Sequence, residues 1–84
     1  MNDTQFDIMD ELYFVISFDD LKSKLDIKDF ELSGNLKEMI LKGWVKCFEQ
    51  NAELEKNEIS FEDKVFRTYN FLATKKGLFE HNSR

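Results

Sequence analysis

LKSKLDIKDFELSGNLKEMILKGWV, residues 21–45, is the stretch on which the reading of the chain turns. Leu21 and Leu25 lie four apart, the spacing that places two side chains on one helical face, and Asp26-Ile27 breaks the period. Asp29 stands where a cap belongs. Leu32, Leu36, Met39 and Ile40 then recur at i, i+4, i+7 and i+8, which predicts a helix over about 30–42 with one buried face. Lys42 complements the negative end of that helix, and Gly43 offers the left-handed conformation in which helices commonly stop. Trp44-Val45 is aromatic and β-branched, so the period changes there from helix to strand.

Outward from this segment, Ser17-Phe18-Asp19-Asp20 carries a start signal for the helix holding Leu21 and Leu25. Residues 4–16 read as a first helix, opened by Thr4 with Asp7 and carrying Phe6, Met9, Tyr13 and Ile16 at helical spacing. Leu12, Phe14 and Val15 widen its stripe until the last turn is apolar nearly all round, more than a one-sided helix needs. On the other side, Trp44–Phe48 and Val65–Phe71 have strand composition. The polar stretch from Glu49 to Lys64 fits either the loop of a long hairpin or a short helix through Ala52–Glu55. Thr74 caps a last helix containing Leu78 and Phe79. The expected fold class is α+β, mainly α with a small β-hairpin, in the order helix, helix, helix, strand, strand, helix, as one domain over residues 1–84.

The resemblance these elements carry is to the wing-type helix-turn-helix. Leu21-x3-Leu25-x-Ile27 followed by Leu32-Ser33-x2-Leu36-x2-Met39-x3-Gly43-Trp44-Val45 resembles the core of winged-helix proteins, closest to small bacterial regulators of the MarR, ArsR and PadR type. Phe71-x-Ala73-Thr74-x2-Gly77 is similar to the signature that closes the wing and opens the terminal helix. The resemblance implies a helix-turn-helix over about 18–42, a wing over about 44–72 and a terminal helix over about 74–82. It also implies a third helix laid in the major groove of double-stranded DNA. Carried over by position, Lys28, Ser33, Asn35 and Lys37 are candidate base readers, and Lys56, Lys64 and Arg67 candidate phosphate contacts. Related regulators dimerise through terminal helices, which makes Leu12, Phe14, Val15 and Phe79 a candidate homodimer interface.

Charge points the other way. The chain of 84 residues carries a net charge of −5, opposite to what phosphate neutralisation requires. Residues 1–21 hold six acids and no base, and residues 47–63 hold six acids and only Lys56. The cations gather in residues 22–46 and 64–84. Gly34 stands where the family pattern supplies a long polar residue, and Glu31 and Glu38 would face phosphates. If half of Lys22, Lys24, Lys28, Lys37, Lys64 and Arg67 touched phosphates, the salt slope of one copy would be only about −3.

Other functional readings are weaker. The absence of proline, the three glycines and the 42% hydrophobic content describe a globular chain; the single Cys47 excludes an intramolecular disulfide, and with the single His81 it argues against a Cys/His zinc site. No metal site is expected. Cys47 reads as a small buried hydrophobe, His81 as an exposed residue of a frayed terminal turn, and Trp44 and Tyr69 as core. No glycine loop cradles a phosphate, and no nucleophile stands with a histidine and an acid, so neither an enzyme nor a cofactor is expected. The acidic start and the lack of an apolar run of ~20 residues predict a cytoplasmic protein without a membrane partner. Two functions follow: a DNA-binding transcriptional regulator acting as a homodimer, or a protein-interaction module whose acidic wing and first helix dock a basic partner and which binds no DNA.

Overall fold

The computed structural model describes residues 1–50, 55 and 58–83. The first helix, α1, spans Asp3–Asp10. It begins earlier than Thr4 predicts because Asn2 caps it: the Asn2 side chain accepts from the Gln5 N–H at 2.7 Å, and the Gln5 side chain accepts from the Asn2 N–H at 3.1 Å. It also ends at Asp10 rather than running to residue 16. The five residues from Leu12 to Ile16 are all apolar or aromatic, and no helix on a surface has room for them on every side. Leu12 instead turns into the core with its carbonyl accepting the Ala73 N–H at 2.9 Å. Ile16–Ser17 becomes a short strand, β1.

Four further helices and two further strands follow: α2 (Phe18–Leu25), α3 (Asp29–Leu41), β2 (Val45–Glu49), α4 (Asp63–Phe66), β3 (Tyr69–Ala73) and α5 (Lys75–Asn82). β3 is the centre of a three-stranded antiparallel sheet ordered β1-β3-β2. Ile16 pairs with Phe71 on one side, and Val45 through Glu49 pair with Ala73 through Tyr69 on the other. This corrects the expected architecture. The order of three helices, a two-stranded hairpin and a helix, on which the winged helix-turn-helix expectation rested, gives way to strands interleaved among helices, with β1 between α1 and α2 and α4 between β2 and β3.

The second correction lies in Val65 and Phe66, which composition places on a strand. They belong instead to the four-residue turn of α4, closed by the Thr68 hydroxyl donating to the Val65 carbonyl at 2.6 Å. The helical turn is what lets Phe66 reach the core, where it is fully buried with its ring 5.3 Å from that of Phe71 and 6.0 Å from that of Tyr69. On a strand, consecutive side chains point to opposite faces, and Phe66 would have alternated away from Val65 and Arg67 without that contact.

The core joins Ile8 and Met9 of α1, Leu21 of α2, Leu32, Leu36 and Met39 of α3, and the inward residues of the sheet. Gly43 adopts φ +79°, the left-handed terminator its position predicts. At Gly77 a Cβ would overlap the Trp44 carbonyl, so α5 packs closely enough to the sheet to require glycine. Thr74 joins the two: its hydroxyl donates to the Gly43 carbonyl at 2.6 Å and accepts from the Gly77 N–H at 3.0 Å. Cys47 is buried in β2. Among the described residues no helix is long and apolar enough to cross a membrane.

Candidate functional site

The helix α3 separates two kinds of surface. Its inner face, with Leu32, Leu36 and Met39, is fully buried. One flank carries Ser33 and Lys37, and α4 lies against it. Asp63 in the first turn of α4 accepts from the Lys37 ammonium at 2.7 Å and from the Ser33 hydroxyl at 3.2 Å. The Lys37 ammonium also sits 5.4 Å from the centre of the Phe66 ring. Hydrogen bonding from Lys37, joined by its charge and by Ser33, holds the Asp63 carboxyl below the usual carboxylate range.

Asp29, expected to cap α3, is its first helical residue, and Lys28 takes the cap position with no side-chain bond. The Asp29 carboxylate turns instead to Lys22 at 2.7 Å and to Arg67 at 3.2 Å. The hydrogen bond from Lys22 is the main reason its carboxyl is also held low. Arg67 lies with its guanidinium 6.0 Å from the centre of the Phe18 ring. Asn35 donates to the Glu31 carbonyl at 2.8 Å and accepts from Asn2 at 3.4 Å, which turns it toward α1.

The candidate DNA contacts are therefore dispersed. Ser33 and Lys37 meet on Asp63, Arg67 is engaged by Asp29, and Asn35 is engaged by α1. Lys28 and Lys64 are exposed, with no ion pair among the described residues. Lys56 lies outside the described residues, as does all but Glu55 of the short helix expected through Ala52–Glu55. Of the candidate dimer residues, Leu12 is fully buried in the core, whereas Phe14 at 83%, Val15 and Phe79 are exposed.

The outward face of α3 holds Phe30, Gly34 and Leu41, at i, i+4 and i+11, with Glu31 and Glu38 beside them. Phe30 is 72% exposed and Leu41 73% exposed. A Cβ on Gly34 would meet nothing within 4 Å, so no contact within the chain calls for glycine there. Leu41 escapes sequence reasoning because it adjoins Ile40, which packs against the core; its signal is the spacing of three helical turns from Phe30. Glu38 is held low chiefly by the hydrogen bond from Lys42, one turn further on.

Beside this face, a cleft of about 320 Å³ opens between α1, the α2–α3 turn and the first turn of α3, lined by Thr4, Asp7, Leu25, Asp26, Ile27, Lys28 and Glu31. Asp26 makes the turn with φ 49° and ψ 53°, a left-handed conformation that aspartate and asparagine tolerate better than most residues.

At the far side of α1, His81 corrects its expected exposure. It is 8% exposed, with Nε2 2.6 Å from an Asp10 carboxylate oxygen and Nδ1 3.0 Å from the Tyr13 hydroxyl. The Phe6 ring lies 4.2 Å from it. This network fastens α5 to α1. Among the described residues no group of three or more His, Cys, Asp or Glu side chains is arranged to hold a metal ion.

No protein-family model, no curated protein and no solved structure matches the chain. The resemblance to bacterial regulators rests on the sequence motifs alone.

Proposed function

We propose that this domain is a protein-interaction module that does not act on DNA, and that the outward face of α3 docks a basic amphipathic helix. The observation that carries the reading is the row Phe30, Gly34, Leu41: two large apolar side chains left in water on either side of a position without a side chain. An amphipathic helix recognises its groove or face through apolar anchors at helical spacing. Glycine between two such anchors lets a second backbone approach closely. Glu31 borders the row with no ion pair among the described residues and selects a partner with lysine or arginine beside its apolar residues, whereas Glu38 is already met by Lys42. The reading moves the docking surface from the acidic wing and first helix to α3 and keeps the basic partner.

The charge on the same side weighs against DNA. Lys22, Lys24, Lys37 and Arg67 are all paired with carboxylates of the chain, so phosphates would have to displace Asp29, Glu11 and Asp63. A duplex approaching α3 would meet Glu31 and two apolar side chains, with Lys28 and Lys64 as candidate contacts left without an ion pair among the described residues.

The test uses isotope-labelled protein and two probes, an amphipathic helical peptide of leucine and lysine and its counterpart of leucine and glutamate. The lysine peptide is expected to shift backbone amide signals along residues 30, 31, 34, 38 and 41, and the glutamate peptide is not. Phe30→Ser and Leu41→Ser should each weaken the lysine peptide by about tenfold. In parallel, mixed genomic DNA fragments at low salt should leave the protein unbound. A DNA complex that dissociates steeply with added salt would overturn the reading, as would peptide shifts confined to α5 or to residues 13–15.

A further inference from the structure

We infer that the cleft between α1 and the α2–α3 turn seats the ammonium or guanidinium end of one lysine or arginine side chain from the docked partner, an inference that rests on the docking reading above. Its dimensions suit that ligand. At about 320 Å³ it lies at the small end of ligand pockets, room for one long side chain and not for a folded element. Its chemistry suits it as well. Leu25 and Ile27, both half-buried and packed against the core, supply an aliphatic floor for a methylene stem. Asp7 from α1, Asp26 from the turn and Glu31 from α3 supply three carboxylates from three separate elements, against the single cation Lys28.

The contrast with the rest of this side of the molecule gives the lining its meaning. Asp29, Asp63, Glu38 and Glu11 each meet a lysine of the chain within 4 Å. Asp7, Asp26 and Glu31 have no ion pair among the described residues, although they share one concave surface. A concave surface of net negative lining concentrates the local potential, and Lys28, the one cation in the lining, balances only one of the three carboxylates. The three carboxylates do not form a metal-holding group. A cation that spreads its hydrogen bonds over a wide rim, such as ammonium or guanidinium, fits where a small hard ion does not. Glu31 also joins the cleft to the outward face of α3, next to Phe30. A helix lying along Phe30 and Leu41 therefore passes the mouth of the cleft, within reach of a long basic side chain.

The experiment separates this inference from the reading beneath it. The intact labelled protein is titrated with N-acetyl-lysine methylamide, N-acetyl-arginine methylamide and, as the uncharged counterpart, N-acetyl-norleucine methylamide. The two cationic amides should shift signals of Thr4, Asp7, residues 25–28 and Glu31 with millimolar affinity, and norleucine amide should not. Asp26→Asn, which keeps the left-handed turn, and Glu31→Gln should each weaken the cationic amides by about two- to fivefold. Phe30→Ser should leave them unaffected. Equal response to norleucine amide, cation shifts spread over every acidic surface, or unchanged binding in both cleft variants would overturn the site. If the lysine peptide ignores α3 while the cationic amides fill the cleft, the docking reading falls and the cation site stands. If the peptide docks and the amides leave the cleft signals unmoved, only the cleft falls.

Discussion

The two flanks of α3 are built from opposite materials and treated in the opposite way to what their residues suggest. The flank with Ser33 and Lys37 is polar, yet Ser33 is 2% exposed because α4 lies over it. The flank with Phe30 and Leu41 is apolar, yet both side chains stand in solvent. The difference teaches that cover on this helix is decided by which segment returns to it. Phe66 needs the core, and in reaching it brings Asp63 onto Ser33 and Lys37 as a ready partner. Nothing among the described residues returns to Phe30 and Leu41.

The most severe way to break the comparison is to remove the anchor of the covered flank. Phe66→Ala should destabilise the domain by about 3–5 kcal/mol, whereas Phe30→Ala should stay within about 0.5 kcal/mol of the parent. Urea unfolding measures both. Similar losses at the two positions would mean that Phe30 is covered in solution and that the flanks do not differ.

A smaller effect sharpens the reading of the open flank. Gly34→Ala adds a methyl in open space and should raise stability by about 0.5–1 kcal/mol, a gain of several degrees in Tm. The same variant should weaken the lysine peptide, since the added methyl holds the partner backbone away. A loss of stability would show that the glycine serves the fold of α3 rather than a partner.

The smallest effect concerns pH. Asp29, Asp63 and Glu38 are all held below their ordinary pKa by lysines bonded to them. In acid the unfolded chain therefore takes up protons first. The stabilisation these pairs contribute is complete above the ordinary carboxylate range and declines as pH falls through the folded values, from about pH 5 downward. Glu38 and Asp63 are exposed and Asp29 is half-exposed, so the decline should be shallow and should shrink further in high salt. Asp63→Asn should flatten part of the slope in urea midpoints followed from neutral pH into acid. An unchanged slope in Asp63→Asn would mean that the contact between α4 and α3 owes nothing to that charge.

The parts of the fold legible in the chain are those whose cause is local. The third helix, predicted over about 30–42, is observed as Asp29–Leu41, because its apolar period and Gly43 lie within one contiguous stretch. The caps at Ser17 and Thr74 act on N–H groups three residues away and are equally legible. The strand β1 is not, since two residues with no alternation become a strand only through Phe71 and Asn70. The burial of His81 is not legible either, as its partners lie 68 and 71 residues away. The candidate site divides in the same manner. Phe30, Glu31, Gly34 and Glu38 fall on the outward face by helical spacing, whereas the loss of Ser33, Lys37 and Arg67 to Asp63 and Asp29 requires the chain to have closed on itself.

By itself the sequence determined the helix period, the caps, the glycine stop, the excess of acid and the presence of more apolar residues than one small core uses. Tertiary structure alone decided which of those residues are covered, which lysines are neutralised and which carboxylates are left to share a cleft. The reason is range. Periodicity and capping act within a few residues of one another, while burial and ion pairing follow distance in space: Lys37 meets Asp63 across 26 positions and His81 meets Asp10 across 71.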